Sequence, residues 1–369
     1  MNIRKAAAVM SIAAMAFAAC SSGGGAASTK PSAAASVAPS TAAAGCKVGM
    51  SWFTFQEERY KNRDEPALKA AIEKGGGTYT SSDGKDSAAT QATDVESLIT
   101  SGVNVLLIDA KDDKAILPSV AAAISAGIPV IAYDRLIEDP RVLYLTHDNV
   151  EVGRMIAREV LKQQPTGNFA IMKGDKANPN ARFLNDGFQE ILAPVLASKA
   201  VTIPAGADLF TDSWKPAIAQ TQMDQILSAN NNKIDAVLSE NDGMAGGVIA
   251  ALKAQGLAGK VIVGGQDGDE AALNNVALGN QAVSVWKNTS ELGTAAGEAA
   301  LALCKDKDVT KVANTKTFTT PGGKTVTANL LKPIPITKDN LNVVIDAGWI
   351  TKAKLCAGVA AAKAPPACK

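Results

Sequence analysis

Histidine occurs once in the 369 residues, at position 147, and that scarcity removes whole classes of chemistry. A zinc site of the usual Cys/His spacing has a single imidazole to draw on, and no Cys-x-x-Cys is present to supplement it. A Ser/His or Cys/His nucleophile would have to be built on His147 alone. That residue stands beside Asp148-Asn149 at a helix start, where a surface or hinge position suits it better than the role of a base. The chain also lacks a Gly-x-Ser-x-Gly elbow, a Gly-x-Gly-x-x-Gly turn opening a helix, and a Gly-x-x-x-x-Gly-Lys-[Ser/Thr] phosphate loop. Nothing therefore marks an enzyme, and neither a metal nor a cofactor is expected. Excess charge of one sign is missing too: 37 Lys and Arg face 36 Asp and Glu, with no basic stripe interleaved with aromatics. Nucleic acid has no electrostatic foothold here, and the partner should be small or neutral.

No apolar run reaches the roughly 20 residues of a membrane-spanning helix. The nearest approach, residues 6–19, follows a short positive region, Met1-Asn-Ile-Arg-Lys5, and closes with Ala18-Ala19 before Cys20. That order is the order of an export signal. Followed by Ser21-Ser-Gly-Gly-Gly-Ala-Ala, residues 1–20 resemble a bacterial lipoprotein signal, which implies a lipid on Cys20 and a chain held on the outer face of the membrane. The alternative is a soluble exported or periplasmic chain from which Cys20 has been removed. Residues 21–45 are Ala, Ser, Gly, Pro and Thr with one Lys30 and one larger apolar residue, Val37, so they should form a flexible linker. Export permits disulfides, and Cys46, Cys304, Cys356 and Cys368 allow three pairings that spacing does not rank.

A chain of 37.8 kDa exceeds the size at which one core keeps growing, so two domains are expected. From Cys46 the pattern alternates: strands at 47–51, 78–80, 103–108 and 128–132 are separated by helices at 59–74, 87–101 and 115–126. A second series follows, with strands at 168–172, 200–203, 236–238, 261–264 and 282–286 and helices at 151–162, 180–192, 216–229, 244–255, 270–277 and 290–304. Short continuous apolar strands alternating with helices indicate an α/β fold, with parallel sheets covered on both faces. A hairpin closes the pattern, turning at Gly322-Gly323. The predicted division is a first lobe of 47–146 plus about 288–308, a second of 147–287 plus about 309–345, and a tail of 346–369.

Five strands end in a polar tip: Asp109, Asp134-Arg135, Lys173-Gly174, Glu240-Asn241-Asp242 and Gln266-Asp267. In open α/β sheets ligands bind outside the carboxyl ends of the strands, so these tips should line one cleft. Carboxylates, amides and guanidinium forks bridge neighbouring hydroxyls, and Asp134, Arg135, Asn241, Asp242, Asp267 and Lys287 supply such groups. Aromatics are only 4% of the chain, yet Trp52, Phe53, Tyr60, Trp214 and Trp286 lie in or beside these segments. Flat rings suit the C–H faces of a pyranose. Plainer roles exist for several of them: Asp148-Asn149 and Asp242 as helix caps, with Asn241 pointing to the cleft, Asp134-Arg135 as an ion pair between lobes, and Trp286 as core.

These segments resemble the periplasmic-type sugar-binding proteins of bacterial ABC importers, in the pentose/hexose family, nearest its D-xylose-binding members. The likeness rests on Glu58-Arg-Tyr60, Ala132-Tyr-Asp-Arg135, Asp148-Asn149, Asn178-Pro-Asn-Ala181, Ser213-Trp214, the run Asn230 to Asp242, Ala254-Gln-Gly-Leu-Ala-Gly-Lys260 and Gly265-Gln-Asp267. It spans residues 47–345 and implies two doubly wound, Rossmann-like lobes joined by a hinge, the type I periplasmic binding protein architecture. It implies further that Arg59 and Arg135 donate to sugar oxygens, that Asp134 and Asp267 accept from hydroxyls, that Asn241 and Lys287 touch the sugar rim, and that Tyr60 and Trp214 sandwich the ring. Asn178 stands where the D-xylose-binding relatives carry Asp, while Asn180 matches them. The implied partners are one monosaccharide, D-xylose or another aldose such as glucose, galactose or arabinose, and the membrane permease of an ABC importer, with the protein acting as a monomer. A chemosensing role would use the same site. A repressor's effector domain would need a DNA-binding helix pair, and a sugar-cleaving enzyme would need paired carboxylates across one bond.

Overall fold

The computed structural model describes residues 45–57 and 59–369. The export signal with Cys20, the linker apart from Gly45, and Glu58 lie outside the described residues. Strands β1 (Lys47–Trp52), β2 (Thr78–Asp83), β3 (Val105–Ile108), β4 (Val130–Tyr133) and β5 (Leu143–His147) pair in parallel in the order β5-β4-β3-β1-β2. Successive side chains of one strand serve opposite faces: Val105 and Leu107 join one apolar cluster, Leu106 and Ile108 the other. Burial on both faces is the reason the central strands β3 and β4 read as unbroken apolar runs.

A second parallel sheet is built from β6 (Gly167–Lys173), β7 (Val201–Thr202), β8 (Asp208–Phe210), β9 (Ala236–Ser239), β10 (Ile262–Gln266) and β11 (Val283–Trp286). Here Phe169 and Ile171 face one cluster while Ala170 and Met172 face the other. Its covering helices Asn149–Gln163 and Pro179–Ala197 approach so closely that a Cβ on Gly187 would sit 2.2 Å from the carbonyl oxygen of Val150. Gly293 serves the first lobe in the same way: a Cβ there would sit 2.7 Å from the carbonyl oxygen of Asp64, so the helix Thr289–Lys305 beds directly on its neighbour.

The hairpin β12 (Lys316–Thr319) and β13 (Thr325–Leu331) corrects the predicted lobe boundary. Residues 309–345 were expected in the second lobe, but β13 pairs in parallel with β5 and extends the first sheet. Only β14 (Ile334–Ile336) returns to the second sheet, antiparallel to β11. The chain therefore passes between lobes three times, after His147, after Trp286 and after Leu331. Two of these passages border charged groups of the site described below.

Cys46 bonds Cys304, tying the start of β1 to the end of the helix Thr289–Lys305, and Cys356 bonds Cys368 within the tail. The tail has its own apolar cluster, where Leu341, Val344, Trp349, Ile350 and Leu355 pack on Leu273 and Val276 of the second lobe. Among the described residues no helix is long and apolar enough to cross a membrane.

Candidate ligand-binding site

The carboxyl ends of both sheets converge on one small polar space, as expected for ligand sites in open α/β sheets. From the first lobe come Arg59 and Tyr60, at a π-helical turn that opens the helix Glu65–Lys74, and Asp134 with Arg135 after β4. The second lobe sends Asn178 and Asn180 from a helix start, Trp214 from a 3₁₀ turn, Asn241 from another helix start, and Asp267 from the end of β10. Lys287 enters from the passage after β11. All ten residues singled out in the sequence thus line one space. Glu57 and Gln266 line it as well.

Arg59 organises the charges. Its Nη2 donates to Asp64 Oδ1 at 2.8 Å and its Nε to Asp64 Oδ2 at 3.3 Å, which locks the fork. Its Nη1 then lies 3.4 Å from both Asp134 Oδ2 and Asp267 Oδ1, one on each lobe. Lys287 repeats the bridge, with Nζ 3.0 Å from Asp267 Oδ1 and 3.8 Å from Asp134 Oδ1. Burial alone would raise the Asp134 carboxyl, but Arg59, Lys287 and Arg135 outweigh it and hold the group well below the usual carboxylate range. Asp134 is therefore a fixed acceptor, not a proton donor. Removing both charges of such a pair can be neutral, whereas removing one leaves an uncompensated buried ion.

Arg135 does not pair with Asp134 across the lobes, as one reading of the sequence had it. Its Nε lies 3.2 Å from Asp109 Oδ1, its Nη1 donates to the Ala110 carbonyl at 3.2 Å, and its guanidinium lies 3.5 Å from the centroid of the Phe53 ring. Glu57 stands 3.7 Å from Arg135, and burial pushes its carboxyl up to about 7 against the pull of that guanidinium. Phe53, Trp52 and Tyr60 form one buried aromatic cluster. Of these three, Tyr60 reaches the cavity, and its hydroxyl donates to Asp134 Oδ2 at 3.3 Å. Trp286 lies edge-on to Trp349 in the core of the second lobe.

Two of the helix starts on the second lobe are capped by residues that line the cavity. Asn178 Oδ1 accepts from the Asn180 amide at 2.9 Å, and Asn241 Oδ1 accepts from the Met244 amide at 2.8 Å. Asn241, not Asp242, is thus the cap, while Asn241 also faces the cavity as expected, through its amide nitrogen. Asp242 sits behind, accepting from Gly268 N at 3.0 Å, Asp269 N at 3.1 Å and Gln281 Nε2 at 2.8 Å. It fixes the turn that carries Asp267. Burial, with the Asp267 charge beside it, pushes the Asp242 carboxyl up to about 7. Asp148 caps the helix Asn149–Gln163, while Asn149 donates to Asn180 Oδ1 at 3.1 Å.

His147 is buried, contrary to a surface placement, although it does stand at a passage between lobes. Burial, then Lys287 and Arg59, keep the imidazole neutral well below its ordinary range.

Backbone strain gathers at this site. Asp134, Ser213, Trp214 and Asp267 have φ of 59°, 50°, 58° and 107°, a region that non-glycine residues enter at a cost of about 1–3 kcal/mol. Trp214 lies flat against Gly174, where an added Cβ would meet the indole at 2.2 Å. Trp214 Nε1, Gln266 Oε1 and Glu57 Oε1 are buried without hydrogen-bond partners. Such orphans are rare in native interiors and suit a ligand that carries several hydroxyls. Sequence reasoning overlooked Glu57, whose neighbour Glu58 carried the motif, and placed Gln266 at the cleft beside Asp267 without giving it a role toward the ligand. Among the described residues no cluster of His, Cys, Asp and Glu has the arrangement of a metal site.

Residues 48–308 match the model of the periplasmic binding protein domain. The D-xylose-binding periplasmic protein of Haemophilus influenzae is 35% identical over 309 residues, 83% of this chain and 91% of that one. Its Escherichia coli counterpart is 34% identical over 84% of this chain and 92% of its own length. Among solved structures, an ABC transporter solute binding protein of Clostridium phytofermentans with bound β-D-glucose superposes with a TM-score of 0.76 at 27% identity, covering 84% of this chain and 99% of that one. Two α/β lobes with a polar cage where their strand ends meet, together with matches of this extent, make the chain a member of the periplasmic binding protein family, whose members are exported binding proteins of transporters and not enzymes.

Proposed function

We propose that the protein is the aldose receptor of an ABC importer, closing its two lobes over one monosaccharide, with D-xylose as the preferred ligand. The observation that carries this reading is the cage itself. Three cations, Arg59, Arg135 and Lys287, are set among Asp64, Asp109, Asp134 and Asp267, so the site offers many charged hydrogen-bonding groups with little net charge. A neutral polyol exploits that arrangement, whereas a charged ligand would unbalance it. Hydrogen bonds to charged groups contribute about 1.5–3 kcal/mol each, and several of them, less the ordering cost, are compatible with the roughly −8 kcal/mol of a micromolar constant. The relatives named for D-xylose support the choice of pentose.

Another aldose is the second reading, favoured by Asn178, whose amide presents a donor where the D-xylose-binding relatives carry a carboxylate. Calorimetry with D-xylose, D-glucose, D-galactose and L-arabinose tests both readings. D-xylose should bind tightest, and flat traces for all four would sink the proposal. The protein would work as a monomer, tethered through a lipid on Cys20 beside the permease that receives its sugar. Cys20→Ala should then release the protein from membranes into the soluble exported fraction, and unchanged membrane association would overturn the tether.

A further inference from the structure

Four residues after Arg59, one turn along the same helical segment, Arg63 also crosses to the second lobe. Its Nη2 donates to Glu270 Oε1 at 3.0 Å and to the Trp349 carbonyl at 2.7 Å, and its guanidinium lies 4.6 Å from the centroid of the Trp349 ring. Trp349 belongs to the C-terminal tail, and two of its further contacts lead back to the sugar site. Its Nε1 donates to the Gly268 carbonyl at 2.6 Å, one residue from Asp267, and its ring stands edge-on to Trp286, one residue from Lys287.

The platform under Trp349 is braced on the second lobe. Lys354 Nζ lies 2.7 Å from Glu270 Oε2, and Asn274 Nδ2 donates to the carbonyls of Leu355 and Ala357 at 2.8 and 2.9 Å. The Cys356–Cys368 bond then closes the end of the tail, and Lys352 Nζ donates to the carbonyl of Lys369 at 2.7 Å. The first lobe meets this platform through the Arg63 guanidinium. Arg63 and Glu270 keep about a third of their side-chain surface exposed, at 29% and 38%, so both are readily hydrated when the lobes part.

We infer that Arg63 and the disulfide-braced tail form a clasp that holds the loaded, closed form and thereby sets how long the sugar stays bound. Trp349 acts as a positioning residue: it presents the carbonyl that Arg63 grips and ties that grip to the turn carrying Asp267. The inference rests on the reading that the lobes close over an aldose. A contact made only after closure leaves the encounter with sugar unchanged and slows its escape.

Stopped-flow measurement of D-xylose binding to Arg63→Gln and Glu270→Gln tests the clasp. Both variants should release sugar about tenfold faster with association within about twofold of wild type, as expected for an interaction formed only in the complex. The melting temperature of the sugar-free variants should stay that of wild type. Trp349→Phe keeps a ring against Trp286 and under Arg63 but loses the indole N–H, so it should release sugar several-fold faster. Release at the wild-type rate in both Arg63→Gln and Glu270→Gln overturns the clasp, as does a loss confined to the stability of the sugar-free protein. If wild type binds none of the aldoses, the receptor reading has failed and the clasp, which forms only in the loaded state, falls with it; sugar binding by wild type with unchanged release from the variants overturns the clasp alone.

Discussion

Arg59, Asp134 and Arg135 on the first lobe are already held by that lobe's own groups, through Asp64, Tyr60 and Asp109. Trp214 and Gln266 on the second lobe keep buried polar atoms with no partner, and Asn178 and Asn241 spend one amide atom on a helix cap and leave the other to the cavity. Apart from Glu57 Oε1, which has no hydrogen-bond partner, the first half of the cage is therefore preorganised by ionic contacts that exist without ligand. The second half is a set of neutral donors and acceptors whose satisfaction depends on what enters. Preorganised charge lowers the ordering cost of binding, while unsatisfied neutral groups make affinity sensitive to where hydroxyls lie. Substitutions on the first lobe should disturb folding and binding together, and those on the second should disturb binding more selectively.

Asp267 is the exception that links the halves, since it meets Arg59 at 3.4 Å and Lys287 at 3.0 Å. Asp267→Ala should give the largest effect. Breaking a buried pair by removing one partner costs about 3–5 kcal/mol, so the D-xylose dissociation constant should rise more than about a hundredfold in calorimetry. Asp134→Ala should weaken binding comparably and also lower the melting temperature, because Asp134 is engaged by its own lobe. Equal melting losses in both variants would break the contrast between lobes, and wild-type affinity in Asp267→Ala would remove that residue from the site.

Gly174→Ala probes the second lobe without touching a charge. The new methyl group would strike the Trp214 indole, and overpacking of this kind costs about 1–3 kcal/mol. The ring must shift out of its place along the cavity, so sugar affinity should fall about tenfold. Retained affinity at unchanged stability would show that the ring's position against Gly174 is not what binding requires.

Much of this architecture is legible in the sequence for a physical reason. Strands such as Val105–Ile108 are buried on both faces, so they appear as apolar runs bounded by turns. Strand β5 escaped, because Tyr144, Thr146 and His147 interrupt its apolar pattern although all five of its residues are buried. The hairpin at 316–331 was recognisable as a hairpin, yet its own alternation carries no information about which sheet edge receives it. The same limit applies to the site. Strand tips announced Asp134, Asn241 and Asp267, but the locking of Arg59 by Asp64, the partial burial of Glu57 and the capping by Asn241 in place of Asp242 depend on tertiary placement.

His147, at the first passage between lobes, sharpens the comparison through pH. The folded state keeps its imidazole neutral, with Lys287 and Arg59 adding to the effect of burial, whereas the unfolded chain takes up a proton near pH 6.5. The unfolded state then binds more protons, so the contribution of His147 is fully present above that pH and is lost as pH falls through it. Glu57 acts in the opposite direction. Its folded carboxyl titrates at about 7, so the native state holds the extra proton and gains stability as pH falls toward the usual carboxylate range. The two partly cancel in wild type, and the informative measurement is a difference. His147→Gln should lose less stability than wild type on acidification in denaturant titrations at pH 7.5 and 5.5, and parallel losses would sink the assignment.

The smallest effect is the most specific to the second lobe. Asn178→Asp retains the cap, because a carboxylate oxygen accepts from Asn180 N as an amide oxygen does, and a negative charge at a helix start is worth about 0.3–1 kcal/mol in its favour. Stability should therefore hold or rise slightly. What changes is the atom offered to the cavity: a donor becomes an acceptor, so the sugar hydroxyl opposite must reverse its hydrogen bond. At about 1 kcal/mol for one such bond, the ratio of D-xylose to D-glucose affinity should shift about fivefold. A ratio left at the wild-type value would mean that the free amide of Asn178 does not meet the sugar. Selectivity would then have to come from the unpartnered atoms of Gln266 and Trp214.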